Sequence, residues 1–272
     1  MFLGGGMNLG WILAAVLSFP VVEPATRTNL TVTAGDGTAL HVLEYRYQGQ
    51  ARPTVILIGD RTEGTRGRNV DKLAEQLFHR GLDVVTWDRR GTGQSEGAFD
   101  FGRSDAGDLT AVLEAVARRS EQPVGILGLG TGGVAVLKGP HQSPAVGALA
   151  LYGVGIHGVP YDGEGMLASL ASPRSFSGRL WLRMRGVRLA DDSGESEPST
   201  AELGRAAAQI RRTPALYIAP GQFARVPAED VRALFEAGRP PKEWLLAPQA
   251  GSNPPVFSMG ARISDFFRKS LH

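Results

Sequence analysis

Residues 123–133 read Pro-Val-Gly-Ile-Leu-Gly-Leu-Gly-Thr-Gly-Gly. The first half is an apolar run typical of a buried strand, and a glycine-rich turn and a helix-forming stretch follow it. On such a strand-to-helix turn, the pentapeptide G-x-S-x-G presents a nucleophilic serine. Here Gly128-Leu129-Gly130-Thr131-Gly132 keeps both outer glycines and has Gly130 in the middle. The stretch therefore predicts a strand-to-helix turn of this kind in which the nucleophile position has no side-chain oxygen.

A second informative stretch comes earlier in the chain. Residues 84–97 read Val-Val-Thr-Trp-Asp-Arg-Arg-Gly-Thr-Gly-Gln-Ser-Glu-Gly, so that a glycine-rich loop directly follows an apolar strand. Its glycines suit a tight turn because glycine tolerates positive φ angles.

Apolar strands alternate with amphipathic helices along most of the chain. Residues 29–47 hold two alternating segments around a Gly-Asp-Gly turn, which predicts an antiparallel hairpin. Further strands are predicted at residues 53–59, 82–88, 123–130, 145–153, 214–221 and 243–247. Helices are predicted at residues 70–80, 104–118, 134–138, 228–236 and 257–271. This pattern predicts an α/β fold with a mostly parallel sheet of about eight strands and helices on both faces.

Residues 154–205 break this rhythm. They are rich in glycine, serine, proline and charged residues, and an arginine-rich piece (174–188) precedes an acidic one (191–197). We interpret the segment as an insertion and its mixed charges as a self-paired, solvated face.

These stretches and the order of elements resemble the α/β-hydrolase superfamily over roughly residues 29–270. The resemblance is strongest to the lipase, esterase and peptidase group with a cap like that of monoacylglycerol lipase. Residues 88–97 are similar to that family's D-x-R-G-x-G-x-S-x-G loop, in which Ser95 would be structural. The resemblance implies one domain over residues 29–272, with the cap inserted at about 154–205.

The resemblance also implies a catalytic triad in the order Ser, Asp or Glu, His. In this chain the nucleophile position is Gly130, and the acid position falls on Phe223, in a Gly-Gln-Phe-Ala-Arg-Val-Pro string one residue shorter than the family's. The base position falls on Ser252, in Pro-Gln-Ala-Gly-Ser. Without a base neither a serine nor a water is activated, and that proton transfer is worth about 10²–10⁴-fold in rate.

The oxyanion site that the family implies is altered as well. The family's His-Gly turn after the third strand is Ile58-Gly59-Asp60 here. The backbone N–H groups of Asp60 and Thr131 are expected to point to where an oxyanion forms. An ionised Asp60 side chain directed inward would oppose that charge. Four altered positions together predict that serine-hydrolase activity has been lost.

Few residues can replace the missing groups. His157 and Asp162, just after the sixth strand, are the best substitutes, although solvated loop positions are the plainer explanation. The hydroxyl of Thr131 is interpreted as a helix cap, and His41, His79 and His141 are predicted to lie at the surface. The sequence has no H-E-x-x-H spacing and no phosphate-binding loop, so we expect neither a metal nor a cofactor.

Composition excludes several other classes of site. The 272 residues, 42% of them hydrophobic, can bury one large core. The absence of cysteine excludes disulfides, thiolate metal sites and a cysteine nucleophile. A net charge of +2, with scattered Lys and Arg and no recognisable motif, predicts no nucleic-acid partner.

The first 22 residues carry no charged side chain. Residues 9–19 form an apolar run ended by Pro20, with the length of a signal-peptide core rather than of a membrane span. No Lys or Arg precedes the run, and Met7 is an alternative start. Residues 1–28 are therefore predicted to be a signal or membrane anchor, or else a loosely packed apolar arm. Cytoplasmic and exported or membrane-tethered locations both stay open.

Three functions fit these observations. The first is a hydrolase-fold protein without hydrolase activity that binds a small apolar or acyl ligand or a protein partner. The second is an active esterase-, lipase- or peptidase-like hydrolase with displaced catalytic residues, of which His157 would be the leading base. The third is a structural protein of an assembly, at the membrane if the N-terminal segment anchors it. We favour the first.

Overall fold

The computed structural model describes residues 26–49, 51–60, 63–154, 176–191, 198–221, 226–247 and 255–271. The strands are β1 (Thr26–Thr33), β2 (Ala39–Arg46), β3 (Thr54–Ile58), β4 (Asp83–Trp87), β5 (Val124–Leu129), β6 (Val146–Tyr152), β7 (Ala215–Ala219) and β8 (Lys242–Leu246). The helices are α1 (Arg68–His79), α2 (Asp105–Ala117), α3 (Thr131–Lys138), α4 (Phe176–Met184), α5 (Thr200–Gln209), α6 (Ala228–Ala237) and α7 (Gly260–Ser270). A 3-10 turn, Pro255–Met259, precedes α7.

These strands form one sheet in the order β1-β2-β4-β3-β5-β6-β7-β8. β2 is antiparallel to both of its neighbours, and all other neighbouring strands run parallel. The prediction of a leading hairpin and a mostly parallel, eight-stranded sheet is confirmed. Because β3 to β8 run in one direction, the loops that follow them gather at a single edge, where open α/β sheets bind their ligands.

Two apolar clusters cover the two faces of the sheet. One face packs against α2, α3, α5 and α6, through residues such as Leu109, Val136 and Leu234. The other packs against α1 and α7, through residues such as Leu77 and Phe267. In α1 the buried residues recur every three or four positions, which places them on one side of a helix (Val70, Leu73, Ala74, Leu77 and Phe78). The predicted placement of helices on both faces is therefore confirmed.

The interval predicted as the cap is described only in part, since residues 155–175 and 192–197 lie outside the described ranges. Within it, α4 packs through Leu182 onto Phe99 and Val187. The last residues of the predicted interval form the start of α5, which begins with a reciprocal cap. The N–H of Glu202 donates to the Ser199 hydroxyl, and the N–H of Ser199 donates to the Glu202 carboxylate. Because Leu203 and Ala207 of α5 lie in the first apolar cluster, this helix is part of the layers around the sheet.

The predicted signal or anchor lies outside the described residues up to residue 25, and β1 begins at Thr26. Among the helices that the structure describes, none has both the length and the apolar character needed to cross a membrane.

Candidate functional site

The turn from β5 into α3 has the backbone of a nucleophile elbow. Gly130 lies between the two elements with φ of 52° and ψ of −118°. This combination falls outside the regions that residues with a Cβ readily adopt. The Gly130 N–H donates to the carbonyl of Tyr152, 2.9 Å away on β6, which fixes the turn to the sheet. The strand, turn and helix predicted from residues 123–133 are thus present.

The outer glycines of the pentapeptide are required by close packing. A Cβ on Gly128 would lie 2.5 Å from the Cα of Gly133, and one on Gly132 would lie 2.6 Å from the carbonyl oxygen of Ile58. Both distances are shorter than carbon contacts allow, and in each case the obstacle is backbone. These two glycines let α3 start directly against β3 and β5.

The Asp60 side chain points into this turn. Its Oδ1 accepts the backbone N–H of Thr131 at 2.9 Å and the Thr131 hydroxyl at 3.1 Å. A Cβ built on Gly130 would lie 2.5 Å from Asp60 Oδ1 and 2.6 Å from its Cγ. The carboxylate therefore fills the space in which a side chain on Gly130 would begin. The Thr131 N–H, which the family resemblance assigns to an oxyanion, is engaged by the protein itself.

The same carboxylate stabilises the start of α3. Gly130 precedes the helix and has no side chain with which to cap it. Asp60 supplies the acceptor from a distant part of the chain, and a negative charge at a helix N-terminus is favourable. The Thr131 hydroxyl, which we interpreted as a helix cap, donates to Asp60 rather than closing the helix alone.

Arg89 contacts three of the segments around the turn. Its guanidinium, 2% exposed, donates to the Thr131 hydroxyl at 3.0 Å and to the Gly59 carbonyl at 2.9 Å. It also lies 3.2 Å from the Asp105 carboxylate at the start of α2. Burial raises the pKa of Asp105, and the neighbouring Arg89 cation opposes that rise. One buried cation thus ties the loops after β3 and β5 to α2.

A sequence profile of known relatives decides the family. The profile of the serine aminopeptidase S33 family, a group of α/β hydrolases, matches residues 50–201, more than half of the chain. The chain belongs to the S33 family. No curated protein matches it in sequence.

Solved structures resemble this S33 member over nearly its whole length. The α/β hydrolase GrgF from Penicillium sp. sh18 has a TM-score of 0.70 at 18% identity and covers 90% of this chain and 99% of its own. An esterase from Pyrococcus furiosus has a TM-score of 0.70 at 16% identity, and the match covers 99% of this chain and 96% of the esterase. A hypothetical protein from Pseudomonas aeruginosa has a TM-score of 0.66 at 16% identity, covering all of both chains. At these identities the likeness shows the fold.

Four of the predicted site residues lie outside the described residues: Phe223, Ser252, His157 and Asp162. The strands that precede the first two are described. β7 and β8 are parallel neighbours, and the N–H of Ala247 donates to the carbonyl of Ala219 at 2.9 Å where both strands end. The loops with Phe223 and Ser252 thus leave the sheet at the edge where Gly130 lies.

The loop after β4 is organised by the buried Asp88. One carboxylate oxygen accepts the backbone N–H and the hydroxyl of Thr65, and the other accepts the N–H of Gln94 and contacts His41 Nδ1 at 3.0 Å. Ser95 is fully buried, with its hydroxyl donating to the Asp88 carbonyl and accepting the His41 N–H. These bonds give Ser95 a structural role in the turn.

Two histidines are less exposed than predicted. The His41 side chain is only 11% exposed and lies between Asp88 and Asn29, beside a polar cavity of about 340 Å³. His141 is buried, and burial lowers its pKa below the ordinary value. Of the three histidines predicted to lie at the surface, only His79 is exposed. Within the ranges that the structure describes, no three His, Asp or Glu side chains are grouped so that they could hold a metal ion.

Proposed function

We propose that this S33 member does not act as a serine hydrolase. In this proposal it uses the inherited fold to bind a small apolar or acyl ligand, or a protein partner. The observation that carries the proposal is the Asp60 carboxylate, which lies in the nucleophile's space at Gly130 and accepts the Thr131 N–H.

Ester and amide hydrolysis by this fold needs a nucleophile and donors for the negative charge that develops on the carbonyl oxygen. Gly130 offers no nucleophilic atom. A substrate carbonyl at the turn would meet a carboxylate instead of an unengaged N–H, and the two like charges would repel as the oxyanion formed. Removing a single oxyanion donor typically costs about 10²–10³-fold in kcat. Gly130 and Asp60 together therefore leave the site without a nucleophile and without the Thr131 N–H as an oxyanion donor.

The fold itself does not argue against hydrolysis, since one of the similar structures is an esterase from Pyrococcus furiosus. The proposal rests on the site. Function in α/β folds is decided by the groups at the sheet edge, and unrelated functions share the same scaffold.

The proposal is tested by exposing the purified full chain to a fluorophosphonate probe and to p-nitrophenyl esters of short and medium acyl length. We expect neither labelling nor turnover above that of the heat-denatured protein. Labelling on any serine, or turnover lost on His157→Ala, would overturn the proposal in favour of displaced catalysis.

Ligand binding is tested separately by thermal shift with octanol and octanoate. A rise in melting temperature with either probe supports the ligand-binding form of the proposal, because a ligand that binds only the native state stabilises it. No shift with either probe points to a protein partner or an assembly role.

A further inference from the structure

Helix α4 carries most of the apolar surface that the described part of the protein exposes. Of the five large apolar side chains that are exposed there, four belong to this nine-residue helix: Phe176 (86% exposed), Leu180 (49%), Trp181 (40%) and Met184 (71%). Contiguous exposed apolar patches on a protein surface mark interaction sites, whereas single exposed residues do not.

These side chains form one stripe. Phe176, Leu180 and Met184 are spaced by four residues and therefore line up along one side of the helix, and Trp181 lies beside them. The opposite side holds the buried Gly178 and Leu182. We call the four exposed side chains the α4 stripe.

The helix is held so that the stripe faces away from the described part of the domain. Leu182 packs with Phe99 and Val187 in a small apolar cluster. The segment after α4 pairs with the loop after β4, where the N–H of Phe99 donates to the Arg188 carbonyl at 2.6 Å and the N–H of Ala190 donates to the Phe99 carbonyl at 3.0 Å. The side of α4 opposite the stripe is thus fixed to the rest of the protein, while the stripe itself is exposed.

Arginines flank the stripe. Arg183 and Arg185 are both exposed, and the Arg185 guanidinium lies 4.8 Å from the centre of the Trp181 ring. Among the described residues, no carboxylate lies within ion-pair distance of either guanidinium. Asp192, Glu195 and Glu197 of the acidic piece lie outside the described residues, so the predicted pairing of these arginines with them stays a prediction.

We propose that α4 is a membrane-docking helix that inserts its apolar stripe into the interface of a bilayer with anionic lipid headgroups. A helix with Trp, Phe and Leu on one side and arginines at its margins has the composition of helices that lie in the plane of a membrane surface. The arginines match the negative surface potential of anionic lipid, and tryptophan and arginine both favour the headgroup region.

A second copy of the chain fits the stripe less well. A nine-residue helix is about 13 Å long, so the exposed side of α4 offers far less than the roughly 800 Å² per partner that a stable protein interface buries. A bilayer requires no complementary partner surface. One interfacial element gives only weak, reversible binding, and stable attachment takes two. The uncharged N-terminal segment is the expected second one.

The test is sedimentation of the full chain with vesicles of phosphatidylcholine, and with vesicles of an equimolar mixture of phosphatidylcholine and phosphatidylglycerol. We expect binding to the mixed vesicles that weakens as salt is raised. Phe176→Ser/Met184→Ser should reduce it about tenfold, and Arg183→Glu/Arg185→Glu should remove the preference for phosphatidylglycerol. Both pairs are exposed, so neither should lower the melting temperature.

Matched controls are Leu246→Ser, the fifth exposed apolar residue, and Arg211→Glu/Arg239→Glu, two exposed arginines away from α4. They should bind vesicles like the unchanged protein. Equal binding by α4 variants and controls would overturn the proposal, as would no binding to the mixed vesicles. A dimer in light scattering that is lost on Phe176→Ser/Met184→Ser would overturn it in favour of self-association. None of these outcomes depends on whether the protein hydrolyses esters.

Discussion

The Asp60 carboxylate lies where a side chain on Gly130 would have to begin. A Cβ at Gly130 would be 2.5 Å from Asp60 Oδ1, and that same oxygen accepts the N–H of Thr131 at 2.9 Å. The two residues are 70 positions apart in sequence, and they meet because β3 and β5 are neighbours in the sheet. Their identities are therefore coupled, and the first three predictions follow from that coupling.

Gly130→Ser should lower the free energy of unfolding by about 1–3 kcal/mol and create no esterase activity. A residue with a Cβ is strained at this φ and ψ, and the new Cβ collides with Asp60. Chemical denaturation and a p-nitrophenyl ester assay check both parts. Gly130→Ala should cost about as much, because the Cβ rather than the hydroxyl causes the strain.

Gly107→Ala serves as the matched control for this change. Gly107 lies in α2, where an added Cβ would meet no atom within 4 Å, so the substitution should be neutral or stabilising by up to about 1 kcal/mol. A Gly130→Ser variant more stable than the unchanged protein, or active on esters alone, would contradict our interpretation of the turn.

Asp60→Ala should cost about 1 kcal/mol of stability, because the Thr131 N–H and hydroxyl lose their acceptor at the start of α3. Asp60→Asn keeps an acceptor oxygen without the charge and should cost less. Under the acyl-ligand form of the proposed function, both variants should bind decanoate about tenfold more tightly, since the Asp60 carboxylate would repel the negatively charged headgroup of decanoate. Denaturation and calorimetric titration measure the two effects. Unchanged decanoate affinity in both variants would show that the ligand does not approach this turn.

Restoring the triad alone should not restore activity. The triple variant Gly130→Ser/Phe223→Asp/Ser252→His still has Asp60 against the new serine and on the Thr131 N–H. Adding Asp60→Ala should raise the ester rate of the triple variant by about 10²-fold, the effect of one oxyanion donor. Activity in the triple variant equal to that of the quadruple variant would mean that Asp60 does not block the site.

The buried His141 should make stability depend on pH. Burial disfavours the charged imidazole and lowers the pKa of His141 below its ordinary 6.5. Below that pH the unfolded chain binds a proton that the folded protein resists, so stability should fall as pH drops from 7 to 5, by on the order of 1 kcal/mol. In the variant His141→Gln this fall in stability should be smaller. The variant His79→Gln, which changes an exposed histidine, should show the same fall as the unchanged protein. Denaturation at a series of pH values decides this, and parallel curves for all three proteins would refute it.

Much of the fold could be predicted because its signals are local. The buried strands β5 and β7 are unbroken apolar runs, and α1 shows its apolar side at helical spacing. The start of α5 was missed inside the predicted insertion, although Ser199-Thr200-Ala201-Glu202 carries a capping-box pattern. That pattern could have identified the helix from the sequence.

The site was predictable in its positions but not in its contacts. The pentapeptide at residues 128–132 gave the place of the turn, whereas the direction of the Asp60 side chain depends on how closely β3 and β5 approach. His41 was misplaced for the same reason. Its alternating strand is typical of a half-solvated hairpin, but its partner Asp88 lies 47 positions further along the chain. Local patterns contain no information about such pairs.

The contact between Asp60 and Gly130 also restricts how this protein could change over generations. A serine that arose first at Gly130 would be penalised by the carboxylate, and a smaller residue that arose first at Asp60 would weaken the start of α3 without supplying a nucleophile. Each of these two substitutions is thus unfavourable until the other has occurred. The pair therefore makes a serine at residue 130 hard to reach by single substitutions, because two changes have to occur together.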